Sequence, residues 1–533
     1  LSDGRWSLTS DYTRQQVNTN TDRSGDTSAL QAAIDAGSVD PLATGFGTLL
    51  GAPVTDSAKV VDQTINNLAT LSGTLFVLPS GAVTTTIRAG YDREDLDSRE
   101  TRSAIVTTTG LSRDELSAGI NIDILLADEN IDVTEAIGKL SINGNLGYSD
   151  LSDFGGLVEF GFGLNWEPFD GLVFSASAIG EEAAPSIAQL GNPLIITPDV
   201  TIFDFTNGET VLAAITTGGN LALPAETRRD IKLAVNYRPE WLDDFTFLGE
   251  YFRNNSNNVA SSFPLLTPEI EAAFPDRVTR DASGRLIAID RRPVNYANVS
   301  SERIRYGIDF SKRFGERRGG GPGGPDRAAR PTGGGAPGGQ TQGDKPPQGS
   351  VPEGSAGARP AAPRGGPGAG GRPSGGRWQL SAFHTIRLED RIQIRPGIDE
   401  LDLLNGSAIG STGGSPRHEF EINGGWFNNG LGFRIDGKHQ VATRVDGGLT
   451  GSDLRFSDLT TFNLRMFINL DDRGSLTDKV PFLKGSRIAF KVDNIFDDIQ
   501  TIRDGNGLIP LSYQTGFVDP VGRYVEIDFR KRF

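Results

Sequence analysis

The chain has 533 residues, a formal net charge of −16 and no cysteine. That length suits several soluble domains or one large all-β barrel, and no stretch approaches the roughly 18 consecutive apolar residues of a membrane helix. The acid excess disfavours nucleic acid as a partner, since phosphates attract basic surfaces, and the lack of cysteine removes a disulfide framework and thiolate zinc. A mean hydropathy of −0.29 reads as soluble at first sight. Against that stand 68 Gly, 29 Phe and apolar residues scattered evenly among polar ones, as in outer-membrane barrels, where only every second strand residue meets lipid. Leu1 is not an initiator methionine and no charged-then-apolar leader follows it, so a processed product or a fragment is expected.

The predicted elements follow in chain order. A strand at 5–14 leads into a long connection, 15–69, with short helices expected at 28–36 and 56–68. A hairpin at 70–78 and 82–92 follows. Strand 111–124 sets Leu116, Ala118, Ile120, Ile122 and Ile124 on one face. After 138–149 comes 156–167, where Val158, Phe160, Phe162, Leu164 and Trp166 alternate with Glu159, Gly161, Gly163 and Asn165. Strand 171–180 precedes a long connection, 181–228. Strands 229–238 and 244–253 precede another, 254–301. Strand 302–313 alternates Ile304, Tyr306, Ile308 and Phe310 with Arg303, Arg305, Gly307 and Asp309. The remaining strands are expected at 378–388, 417–427, 431–442, 459–469, 486–493 and 523–533.

Segments of about ten residues with one apolar face and one face of Gly, Asn, Arg and Asp suit a lipid side and a lumen side. The expectation is an all-β, antiparallel transmembrane β-barrel with about sixteen strands visible. Short and long connections alternate, as they do when one rim meets the periplasm and the other the outside. Trp166 and Phe169, Tyr237 and Trp241, and Trp426 and Phe427 flank short turns, as an interfacial aromatic girdle would. Residues 315–376 are rich in Gly and Pro, and almost nothing there can bury a core, so disorder is expected. The organisation read from this is barrel strands and loops at 1–314, an insertion at 315–376 on the short-turn, periplasmic side, and closing barrel strands at 377–533.

Catalytic chemistry finds little footing. His384, His418 and His439 are the three histidines; none has a metal-ligand spacing, and no nucleophile elbow is present. The acidic run Glu389, Asp390, Asp399, Glu400 and Asp402 lacks the spacing and Gly turn of a calcium loop, so a solvated loop is the better reading. No catalytic residue, cofactor or metal site is expected.

Several motifs carry a resemblance. Val492-Asp493-Asn494-Ile495-Phe496-Asp497, then Asp519-Pro520-Val521-Gly522-Arg523 and a last strand ending in Phe533, resemble in order the C-terminal motifs of TonB-dependent receptors. Ala184-Pro185-Ser186 with Leu190, Gly219-Asn220 with Leu223 and Glu226, and Leu75-Phe76-Val77-Leu78-Pro79-Ser80-Gly81 are similar to further motifs of that family. The resemblance implies the barrel part of a 22-stranded receptor without its plug and first strands. It implies outer-membrane lipid and the TonB complex as partners, and a scarce ligand as cargo: a ferric siderophore, cobalamin or an oligosaccharide. It also implies Phe533 as the signal read by the barrel-assembly machinery. A passive substrate-selective porin is the second reading and an outer-membrane enzyme the third. A genomic extension ahead of Leu1 is expected.

Overall fold

The computed structural model describes the chain except residues 1, 24–26, 41, 43–44, 52–53, 103–104, 129–134, 243, 316–375, 410–412, 448–451, 473–476, 520 and 533. The main sheet has seventeen strands. One of them, Leu401–Asp402, is a two-residue side bridge, which leaves sixteen wall strands. They are β1 (Ser2–Arg23), β2 (Val54–Leu78), β3 (Gly81–Arg102), β4 (Ile105–Ala127), β5 (Lys139–Leu151), β6 (Gly155–Phe169), β7 (Leu172–Ala183) and β8 (Glu226–Tyr237). They continue as β9 (Phe245–Ser261), β10 (Val294–Phe314), β11 (Gly376–Gln393), β12 (His418–Asn428), β13 (Leu431–Gln440), β14 (Leu459–Asn469), β15 (Ser486–Asp493) and β16 (Tyr524–Lys531). Each pairs antiparallel with the next in sequence.

Register decides which face is which. Reading across the ladders, Trp6 lies opposite Leu71, Leu71 opposite Ile87, Ile87 opposite Ile120 and Ile120 opposite Leu146. Further round, Phe433 lies opposite Met466, Met466 opposite Phe490 and Phe490 opposite Ile527. A single slipped register would turn a strand's apolar set inward, and none of these pairs is slipped. The resulting belt stays exposed, with Phe162 66% and Ile527 74% accessible. Apolar surface on that scale has no place in water but suits lipid.

The opposite face is polar and curves inward. Lys232 pairs with Glu250 at 2.7 Å, and Arg305 of β10 reaches past β11 to Glu421 of β12, also at 2.7 Å. Glu419 holds Lys438 at 3.1 Å, and the Arg305 guanidinium stacks 4.0 Å over Phe383.

Aromatic rings gather near the short-turn rim. Trp166 stacks on Phe174, Tyr237 on Phe247, and Trp426 lies against both Trp378 and Phe433. Trp166 also donates from Nε1 to the Ile137 carbonyl. Amphipathic rings settle at a membrane boundary for this reason: one edge is apolar and the other hydrogen-bonds.

One expectation changes. The helix expected at 28–36 forms as Ser28–Asp35, but 56–68 is strand, the upper part of β2. Val60, Val61, Ile65 and Leu68 mimic helical spacing, yet the backbone of this stretch is bonded on both sides, to β1 and β3. Ladder pairing outweighs local pattern here. The first four wall strands, of 22, 25, 22 and 23 residues, therefore far exceed the roughly 9–11 residues that cross a bilayer. Their outer face turns polar above Tyr91, where Arg93 pairs with Asp95 and Asp114. The expected insertion at 315–376 falls almost wholly outside the described residues; its flanks, Phe314 and Gly376, pair with each other at the short-turn rim.

Candidate functional site

The long connections do not hang free. Those after β7, β9, β11, β13 and β15 pack on one another at the opposite rim. Ile195–Asp204 and Glu209–Thr217 form a hairpin in the connection after β7. Leu286–Asp290, from the connection after β9, adds to it in parallel. Thr443–Val445, Leu454–Phe456 and Ile502–Arg503 form a second small sheet drawn from two other connections.

Two hydrophobic cores lie here. One gathers Val211, Ile215, Phe263, Ile270, Leu286 and Ile289 with Tyr296 and Ile392 at the wall tops. The other joins Phe203, Phe205, Val445, Phe456, Ile502 and Tyr513. Most of the buried apolar side chains belong to this cap, not to the wall. The division is physical: the wall turns its apolar face to lipid, so only the cap has an inside.

A charged clamp ties two connections together. Arg280 donates from Nε to Glu271 at 2.6 Å and from Nη2 to the same carboxylate at 2.8 Å. Its Nη1 and Nη2 meet Asp204 at 2.7 and 2.9 Å, and Nη1 also reaches the Gly284 carbonyl. Thr206 and Asn207 donate to the same two acids. The Arg280 bonds hold the Glu271 carboxyl below its ordinary range, while burial raises the Tyr513 phenol. Arg280, Asp204 and Glu271 were not singled out from the sequence. No spacing rule joins charged residues of separate connections.

The cap also leans inward onto the wall. Ile187–Gly191 is a short helix whose Ser186 and Gln189 form a capping box. Arg113, on the lumen face of β4, donates to the Pro185 carbonyl, and Ser98 of β3 donates to that of Gly191. Asn220 and Gly219 donate backbone N–H groups to Gln189 and Asn192. A Cβ on Gly219 would fall 2.3 Å from the Leu190 carbonyl oxygen, so this approach requires glycine. The two mid-chain motifs are thus one contact.

The C-terminal motifs also meet. Asp497 accepts the backbone N–H of Arg523 at 2.7 Å, and Arg523 donates from Nη1 to the Ile495 carbonyl. Asn494 sits at φ +50° and exchanges hydrogen bonds with Asp498. Gly522 is at φ +57°, and a Cβ there would meet the Asp497 carboxylate at 2.5 Å. Together these residues brace the tops of β15 and β16. Pro520 and Phe533, the expected assembly signal, lie outside the described residues.

The histidines lie elsewhere. His384, His418 and His439 are on the outer wall face around Phe420, with His384 Nε2 3.1 Å from His418 Nδ1 and Tyr306 Oη 2.9 Å from His384 Nδ1. The acidic run is neither a cage nor a wholly solvated loop. Asp390 accepts from Ser415, Asp402 caps a turn through Leu404 N and Asn405, and Glu400 pairs loosely with Arg391. Among the described residues no group of three or more His, Asp or Glu is placed to hold a metal ion.

No family model matches the chain, and no curated protein matches it. Solved structures do. The siderophore receptor PirA from Acinetobacter baumannii is 11% identical with a TM-score of 0.52 over 100% of this chain and 61% of its own. The siderophore receptor PirA from Pseudomonas aeruginosa is 12% identical at 0.45, over 98% and 65%. A mutant of the ferric enterobactin receptor PfeA from Pseudomonas aeruginosa, in complex with enterobactin, is 13% identical at 0.49, over 98% and 60%. The chain therefore spans about three fifths of the length of the first of these, 61%, and shares its β-barrel fold.

Proposed function

We propose that this chain is the barrel wall and outer loops of a TonB-dependent outer-membrane receptor that imports a scarce ligand of the ferric siderophore, cobalamin or oligosaccharide class. The observation that carries the reading is the cap. Its connections lean onto the lumen-facing side chains Ser98 and Arg113 and are welded to one another by two cores and the Arg280 clamp. A preformed, inward-leaning surface over a polar lumen suits capture from dilute solution, because little ordering entropy remains to be lost on binding. A passive porin gains nothing from such a cap. The C-terminal motifs support the TonB-dependent class, and in that class energy reaches the barrel through a plug and the TonB complex.

The test is uptake by living cells expressing the complete gene product. Labelled ferric siderophores, cobalamin and oligosaccharides are supplied in turn, with and without TonB. The expected result is accumulation of one class that is abolished when TonB is removed. Equal accumulation in cells lacking TonB would replace this reading with the porin.

A further inference from the structure

Where the cap meets the wall there is a cavity of about 340 Å³, within the roughly 300–1,000 Å³ of small-molecule sites. Its wall side is two adjacent rungs of β3 and β4, Ser98 opposite Thr109 and Glu100 opposite Thr107. These share the lumen face, because Ile87, Ala89 and Tyr91 on the same strand point outward. The cap side includes Asn192 and Arg292.

The charges do not balance. Arg292 is already committed to Asp290, through Nη2 at 2.6 Å and Nε at 3.0 Å. Glu100 makes no ion pair or hydrogen bond among the described residues, and its Oε2 is buried without a partner. Glu100 as a whole is half-buried, but a carboxylate oxygen buried without a donor is costly, and a ligand that supplies the donor removes that cost. The hydroxyls of Thr107 and Thr109 likewise have no side-chain or backbone partner among the described residues. The cavity thus offers one uncompensated negative charge beside several small polar groups able both to donate and to accept.

We propose that this seam cavity binds a small polyhydroxylated molecule bearing an ammonium group, with Glu100 as its counter-charge and Thr107 and Thr109 meeting its hydroxyls. The ligand meets a charge-assisted bond at one end and neutral hydrogen bonds at the other. The proposal rests on the receptor reading only in placing the cavity on the outer side.

The experiment measures binding to the purified full-length protein in detergent by titration calorimetry, using glucosamine at mildly acid pH, where its amine is charged, and glucose as the uncharged match. Glucosamine is expected to bind saturably and at least about tenfold more tightly than glucose, the margin of one hydrogen bond to a charged group. Glu100→Gln keeps the shape and should remove that margin while leaving glucose unchanged. Thr107→Val deletes a hydroxyl and no charge, so it should weaken both sugars alike. If Glu100→Gln does not fold, the preference for glucosamine and the Thr107→Val result still decide. Equal affinity for the two sugars, absence of saturable glucosamine binding, or a glucosamine preference that survives Glu100→Gln would overturn the proposal. Uptake is not read, so such a result leaves the import reading standing, and TonB-independent uptake leaves the cavity standing.

Discussion

Arg280→Met should loosen the outer cap by about 3–5 kcal/mol, the usual penalty for stranding one side of a buried ion pair. The Asp204 side chain is only 1% accessible, and Arg280 supplies two of its hydrogen bonds and two of those to Glu271. Removing the cation leaves two carboxylates facing each other, with Asp204 shut off from the solvent that would screen it. Hydrogen exchange at amides of 195–217 and 278–290 should accelerate sharply, while amides of the wall ladders stay protected. The triple variant Arg280→Met, Asp204→Asn, Glu271→Gln should recover much of the loss, because the penalty lies in the unpaired charges more than in lost attraction. The Glu271 carboxyl is held below its ordinary value near 4.5, so its contribution is full above that value. It is lost as pH falls through the depressed one, and acid should therefore loosen the same amides. Unchanged exchange in Arg280→Met would show that the hydrophobic cores hold the cap unaided.

Phe162→Arg should cost about 2–4 kcal/mol of barrel stability if the site lies near the bilayer midplane. Phe162 sits opposite Gly144 on one side and Ala178 on the other, several residues from the Trp166–Phe174 stack that marks the lower boundary. The matched control is Asn143→Arg. Asn143 faces the lumen between Asp123 and Gly163, where an arginine has the Asp123 carboxylate beside it and no side chain opposite at Gly163. Gly163 itself makes a poor control, because any Cβ there would fall 2.0 Å from Asn143 Oδ1. Urea titration of protein refolded into lipid vesicles should show a lower midpoint for Phe162→Arg and little change for Asn143→Arg. Equal losses would mean that the faces are wrongly assigned.

All sixteen wall strands were legible in the sequence because lipid imposes the same demand on each one independently. The alternation at Val158, Phe160, Phe162 and Leu164 needs no knowledge of any other strand. The misread segment, 56–68, lies where β2 rises beyond the belt. No lipid enforces alternation there, and Val60, Val61, Ile65 and Leu68 fall at helical intervals. The cap was illegible for the opposite reason. Ala214 pairs with Ala288 in parallel, and Arg280 finds Asp204 across 76 residues of chain. Such pairings leave no local periodicity. The motifs were visible as strings, but their work was not: Asn494, Asp497 and Arg523 read as two separate signatures and act as one brace. Glu100 stood inside a long alternating strand with nothing to distinguish it until the cap closed over its upper end.

A wall that crosses a membrane puts the short turns on one side and the cap on the other, so the two rims must differ in access from outside the cell. The chain contains no cysteine, so single cysteines report without background. Glu240, in the short turn between β8 and β9, and Asn506, in the connection after β15, are both exposed. Intact cells carrying Glu240→Cys or Asn506→Cys in the complete protein are treated with a membrane-impermeant thiol reagent. Asn506→Cys alone should be labelled, with Glu240→Cys reacting only after the outer membrane is permeabilised. Labelling of Glu240→Cys in intact cells, with Asn506→Cys protected, would overturn this orientation.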